Sequence, residues 1–152
     1  MRIIEGQLVA RDIRLVILAA RFNELVVRSL VDGAVDALRR HGVADADIHV
    51  VRVPGAFELP LAAKRLAGLR RYDGIVALIR GQTPHFDFVC GECAAGLNRV
   101  SLEHGLPIGF GVLTTDTMDQ ALDRAGGKAG NKGADTVLAT LEMVTLLRQL
   151  EA

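Results

Sequence analysis

Four short runs rich in apolar residues recur along the chain, each followed by a stretch with helical spacing, and this alternation leaves few folds open. The first, Ile13 to Ala19, ends at Ala20-Arg21-Phe22-Asn23. A run of that length has no polar face, so it suits a strand covered on both sides. Asn23 then stands where a side-chain N-cap belongs, before a helix carrying Leu25, Val26, Leu30, Ala34, Ala37 and Leu38. That helix ends at His41-Gly42, with glycine as the terminator. Ile48 to Val53 runs into Pro54-Gly55-Ala56-Phe57-Glu58 and a short Ala/Leu-rich helix that stops near Gly68. Gly74 to Ile79 enters Arg80-Gly81-Gln82-Thr83-Pro84-His85, and the next helix aligns Val89, Cys90, Cys93, Leu97 and Val100 before Gly105. Ile108 to Leu113 leads into Thr114-Thr115-Asp116-Thr117 and a helix to Ala125. A glycine-rich break from Gly126 to Gly133 precedes a last helix ending near Leu150. Strands alternating with helices imply right-handed crossovers and a parallel, doubly covered sheet in an α/β fold. Ile3 to Val9 is an extra strand-like segment with no helix after it, expected at a sheet edge of its own subunit or a neighbour's.

The 152 residues suit one domain, 1–152. Half are hydrophobic but only 4% aromatic, with five Phe, one Tyr and no Trp, so small aliphatics must build the core. Eighteen basic residues cancel eighteen acidic ones, and no like-charge run supplies the footprint of a nucleic-acid binder. No apolar run approaches the ~18 residues of a membrane span. Met1 to Gly6 lacks the apolar region of a signal peptide, and two Cys are too few for a disulfide framework, so the cytoplasm is the expected compartment. Zero net charge with a mean hydropathy of +0.29 favours self-association, and an oligomer is expected.

Open α/β sheets bind ligands beyond the carboxyl ends of their strands. Phe22, Phe57, Phe86 and Phe88 lie at or just past those ends, while Phe110 interrupts a strand between Gly109 and Gly111. A flat heterocycle stacked between rings is one reading of that clustering, and scattered core packing is the other. Gly81-Gln82-Thr83 joins a strand to a helix start, where free N–H groups and the helix dipole favour an anion. His85 follows in the same polar loop, and an imidazole of ordinary pKa near ~6.5 suits proton transfer. Cys90-Gly91-Glu92-Cys93 falls on an apolar helix stripe, which fits small core residues better than a redox pair. No set of ligands for a metal accompanies it, and Gly126 to Gly133 lacks the G-K-[ST] of a phosphate loop.

Arg21-Phe22-Asn23, Val53-Pro54-Gly55-Ala56-Phe57-Glu58-Leu59-Pro60, Ile79-Arg80-Gly81-Gln82-Thr83-Pro84-His85-Phe86-Asp87, Gly111-Val112-Leu113-Thr114-Thr115-Asp116 and Lys128-Ala129-Gly130-Asn131-Lys132-Gly133 together resemble the lumazine synthase family, in the family's order and over nearly the whole chain. The resemblance implies a flavodoxin-like three-layer αβα fold, with the four-stranded parallel sheet joined by the N-terminal edge strand. It also implies a cofactor-free, metal-free condensation of 5-amino-6-(D-ribitylamino)uracil with 3,4-dihydroxy-2-butanone 4-phosphate. The product is 6,7-dimethyl-8-ribityllumazine, a riboflavin precursor, with phosphate and water released. On this chain it implies that Phe22 stacks on the pyrimidine and that Ala56, Phe57 and Glu58 hold the ring and ribityl chain. Gln82, Thr83 and Arg124 hold the phosphate, and His85 shuttles protons. Phe110 and Arg124 come from a neighbouring subunit, with Lys132 assisting there, which makes a pentamer the smallest competent unit. Family members form pentamers, decamers and sixty-subunit icosahedral shells, and the compact Lys128 to Gly133 turn resembles the shell formers.

One departure from the family pattern stands out. Between Tyr72 and Arg80 the chain reads Asp73-Gly74-Ile75-Val76-Ala77-Leu78-Ile79, where the family has a few more residues, commonly a Gly, a small residue and a Val before Ile-Arg-Gly. That segment supplies backbone contacts to the pyrimidine, a role that passes to Ala77, Leu78 and Ile79. An odd-numbered deletion reverses side-chain facing along part of a strand. The resemblance therefore admits two outcomes, an active synthase or an assembling, ligand-binding relative that turns over poorly. A flavodoxin-like redox or signalling module is a third reading, and it predicts flavin bound on isolation.

Overall fold

A computed structural model describes residues 1–81, 84–115 and 117–152, with the side chains of 84–87 and 114 excepted. The elements in chain order are β1 (Leu15–Ala20), α1 (Glu24–Arg40), β2 (Ile48–Val53), α2 (Leu59–Gly68), β3 (Gly74–Gly81), α3 (Pro84–His104), β4 (Ile108–Thr114), α4 (Met118–Asp123), β5 (Ala125–Gly127), β6 (Gly130–Asn131) and α5 (Lys132–Glu151). Strands β1 to β4 form one parallel sheet in the order β2-β1-β3-β4. The expected α/β fold, with its four-stranded parallel sheet flanked by helices, is what the chain adopts.

Strand alternation sends the side chains to two separate cores. Leu15, Ile17 and Ala19 of β1, with Val76 and Leu78 of β3, pack against α1 and α5. Val16, Leu18 and Ala20, with Ile75, Ala77 and Ile79, pack against α2 and α3. Both central strands are buried along their whole length, which explains why their sequences carry no alternation. Helix α1 ends in a Schellman motif: Val43 N–H donates to Leu38 O and Gly42 N–H to Arg39 O, with Gly42 at φ 97°. The glycine expected as a terminator sits in a backbone conformation where a Cβ would be strained.

Gly109 and Gly111 have a different purpose. A Cβ on Gly109 would run into the Thr140 hydroxyl, and one on Gly111 would lie 2.7 Å from Thr136 Oγ1. β4 and α5 therefore touch backbone to side chain, and Phe110 between the glycines points to the opposite core, among the residues packed on α2 and α3.

Four expectations are corrected. Ile3 to Val9 forms no strand within the chain, and the sheet has four members among the described residues. The segment instead lies along α5, whose side chains take up its backbone groups. Gln7 N–H donates to Thr145 Oγ1 (2.7 Å), Gln149 Nε2 donates to Glu5 O (2.6 Å), and Arg148 donates to Arg11 O and Asp12 O (2.8 Å each). Asn23 precedes α1 but makes no side-chain cap bond. α4 stops at Asp123 and does not reach Ala125, and the glycine-rich break after it forms an antiparallel hairpin of β5 and β6. His85 is not in a loop, because α3 already begins at Pro84.

Candidate functional site

The strand order sets the place of the site before any side chain is considered. The chain leaves β1 toward β2 on one side and crosses back to β3 on the other, so α1 and α2 lie on opposite faces. The carboxyl ends of β1 and β3 flank the topological switch, the place where open α/β sheets bind their ligands.

Phe22 sits just past the end of β1 and is 68% exposed, although it is a large apolar ring. Phe57 lies past the end of β2 in a 3-10 turn, Ala56–Glu58, and is 78% exposed. Isolated apolar exposure needs no explanation, but two solvent-facing rings on the ends of adjacent strands give stacking surfaces their place. Glu58 closes the same turn, with a carboxylate oxygen 3.3 Å from where a Cβ on Gly55 would be. Its side chain is exposed. The turn packs against α3 and runs directly into α2, which has a proline in its first turn. Phe88, in the first turns of α3, is 72% exposed.

The third edge is the end of β3. Ala77 and Leu78 are buried and paired on both sides, with β1 and with β4, whereas Ile79 pairs only with Val112 of β4. Arg80 follows and is only 1% exposed. Its guanidinium donates to Asn23 Oδ1 (3.0 Å), and Asn23 Nδ2 donates to the Arg80 carbonyl (3.2 Å). The sequence argument gave Arg80 no separate role and assigned Asn23 to a helix cap. A strand-long alternation that puts Arg80 on the same face as Val76 and Leu78 is the signal that marks it.

Gln82, Thr83 and Asp116 lie outside the described residues, as do the side chains of His85 and Phe86, so the phosphate turn and the proton shuttle stand on the sequence. Arg124 follows α4, whose first turn is capped by Thr117 Oγ1 accepting from Gln120 N–H (3.1 Å); its guanidinium donates to Gln120 O (3.0 Å). Phe110 is half-buried on β4 opposite Ala77, four positions before the pair Gly81 and Thr114 that ends the ladder. It therefore lies about 13 Å down the strand from that end. Lys132 opens α5 and is exposed; Asn131 Oδ1 caps that helix by accepting from Ala134 N–H (3.0 Å), and its Nδ2 donates to Ser29 O on α1 (3.0 Å).

A family model described as 6,7-dimethyl-8-ribityllumazine synthase matches residues 12–148, nearly the whole chain. The chain belongs to that family. Membership of the lumazine synthase family makes it an enzyme of riboflavin biosynthesis and implies the condensation reaction that forms the lumazine. The flavodoxin-like arrangement of the sheet and its switch point agree with that assignment. Among the described residues, no group of three or more His, Cys, Asp or Glu is arranged to hold a metal ion. No helix among them is long and apolar enough to cross a membrane.

The two cysteines belong to the core of α3. Cys93 is a free thiol, buried beside Leu97 and Val100. Burial, followed by the neighbouring Cys90, pushes the Cys93 thiol up to about 12. A nucleophilic or redox thiol needs the opposite shift.

Proposed function

We propose that the crevice between the ends of β1, β2 and β3 condenses 5-amino-6-(D-ribitylamino)uracil with 3,4-dihydroxy-2-butanone 4-phosphate, within one domain of residues 1–152. The observation that carries this is the pair of exposed rings, Phe22 and Phe57, on adjacent strand ends at the switch point. Phe22 stacks on the pyrimidine, and Ala56, Phe57 and Glu58 hold the ring and the ribityl chain. Backbone groups of Ala77, Leu78 and Ile79 bound the floor. Gln82 and Thr83, which precede Pro84 in the sequence, take the phosphate with Arg124. His85, the second residue of α3, moves protons as the imine forms and phosphate leaves.

The competent unit is a homo-oligomer, a pentamer or a shell of pentamers, in which Phe110 and Arg124 complete a neighbour's crevice. A monomer of this mass should expose about 7,500 Å². The chain exposes 8690 Å², with Ile3, Val9, Leu61 and Leu102 among its exposed apolar residues. Among the described residues β2 has no neighbour on its outer side, and an open edge of this kind invites a strand from another copy.

Steady-state formation of the lumazine from the two substrates, followed by absorbance, tests the reading. The expected result is turnover that His85→Ala reduces by about 10²–10⁴-fold without changing the sedimentation of the assembly. An unchanged rate overturns the role of His85. A second reading is an assembling relative that binds the pyrimidine but turns over poorly. It rests on the departure from the family pattern between Tyr72 and Arg80, although β3 still forms with eight buried residues. An intact assembly without turnover selects it.

A further inference from the structure

The pairing of β1 with β3 stops at Ala19 and Leu78, whereas β3 and β4 remain paired as far as Gly81 and Thr114. Past Leu78, β3 no longer pairs with β1, and its β1-facing edge meets the turn that follows β1. Asn23 occupies that edge with its side chain, donating to the Arg80 carbonyl and accepting from the Arg80 guanidinium at 3.2 and 3.0 Å. The two bonds close a ring across the switch point between residues 57 positions apart. Asn23 is in the left-handed region, at φ 61° and ψ 46°. An L-residue holds that conformation at a cost, and a side-chain bond of this kind offsets it. The residue immediately before it is Phe22, and Arg21 N–H is anchored to Val53 O (2.8 Å). The short Arg21-Phe22-Asn23 turn is thus tied at one end to β2 and at the other to Arg80.

We propose that Arg80 is a positioning residue for the pyrimidine subsite. Through Asn23 it fixes the backbone that carries Phe22, so that the ring meets the heterocycle already oriented. The guanidinium is suited to this because its planar fork is pre-organised and, at 1% exposure, is held in place by its surroundings. The inference rests on the function proposed above, since it needs Phe22 to be the stacking surface.

The test compares Arg80→Met, Asn23→Gly and Phe22→Ala, singly and in pairs, by the KM for each substrate and by the Kd for the ribitylaminouracil. Methionine conserves volume without the bridge, and glycine keeps the left-handed turn accessible without it. Arg80→Met and Asn23→Gly should each raise the KM and Kd for the pyrimidine about tenfold, the scale of one lost stacking contact. The KM for the butanone phosphate should not move. In the Phe22→Ala background, Arg80→Met should add nothing, and the Asn23→Gly/Arg80→Met pair should be no worse than either single change. Equal losses with and without the Phe22 ring, or parallel rises in both KM values, overturn the proposal. Should Arg80→Met not fold, Asn23→Gly with and without Phe22→Ala decides the question alone. If the wild-type chain binds the pyrimidine without turnover, the Kd series still decides it. A wild-type chain that binds no pyrimidine overturns the functional reading and this proposal together.

Discussion

Gly133→Ala and Gly91→Ala should shift stability in opposite directions, although both put one methyl group on a helix. At Gly133 an added Cβ would strike the Leu30 carbonyl oxygen, with Leu30 C at 2.8 Å and Asn131 Oδ1 at 3.0 Å. The obstacle is the backbone of α1, which no rotamer change moves, so α1 and α5 must part by about 1 Å. Overpacking of this kind costs roughly 1–3 kcal/mol, with a rigid obstacle at the upper end. Alanine returns at most about 1 kcal/mol through helix propensity, and less in the first turn. The expected net change is a loss of about 1–2 kcal/mol. At Gly91, in the exposed interior of α3, an added Cβ meets nothing within 4 Å. There only the propensity term remains, and the variant should gain about 1 kcal/mol. Urea titrations followed by circular dichroism, at one fixed protein concentration because self-association shifts apparent stability, read both changes. In thermal melts each kcal/mol corresponds to about 2–4 °C for a chain of this size. A Gly133→Ala variant as stable as wild type, or a Gly91→Ala variant that is destabilised, would refute the packing argument.

Two further outcomes are expected. In the native protein at pH 8, a soluble thiol reagent should leave Cys93 unmodified, because its thiolate becomes appreciable only as the pH approaches about 12. Denaturant should make it react at once, and stoichiometric native labelling of Cys93 would refute its place in the core. Thr145→Ala combined with Gln149→Ala removes bonds that hold Gln7 and Glu5 to α5. At about 1 kcal/mol for each hydrogen bond, tryptic cleavage after Arg11 should accelerate roughly tenfold or more while the global unfolding midpoint changes little. An unchanged cleavage rate would show that the segment is held by other contacts.

The strands and helices were legible because their signals are local. Gly74 to Ile79 reads as a strand without reference to the rest of the chain, since a buried strand must be apolar on both faces. Gly42 reads as a terminator because only the αL conformation closes that helix end. The strand ends followed as well, since parallel strands present their carboxyl ends at one edge, and Phe22, Phe57 and Glu58 all fall there. Ile3 to Val9 shows the limit of such reading. Its composition suits a strand, but which backbone groups it meets depends on what lies across from it, and within the chain that is α5.

By itself, the sequence of this chain determined the α/β class, the order of its elements, the family and the strand ends where ligands belong. Tertiary structure alone decided that Asn23 bonds to Arg80 instead of capping α1, and that Phe110 faces α2 and α3 while its flanking glycines admit α5. It also decided that the N-terminal segment lies on a helix. The physical reason is common to all three. Periodicity and composition report how much water a residue avoids, whereas the choice of hydrogen-bond partner and of strand face depends on atoms brought together from distant parts of the chain.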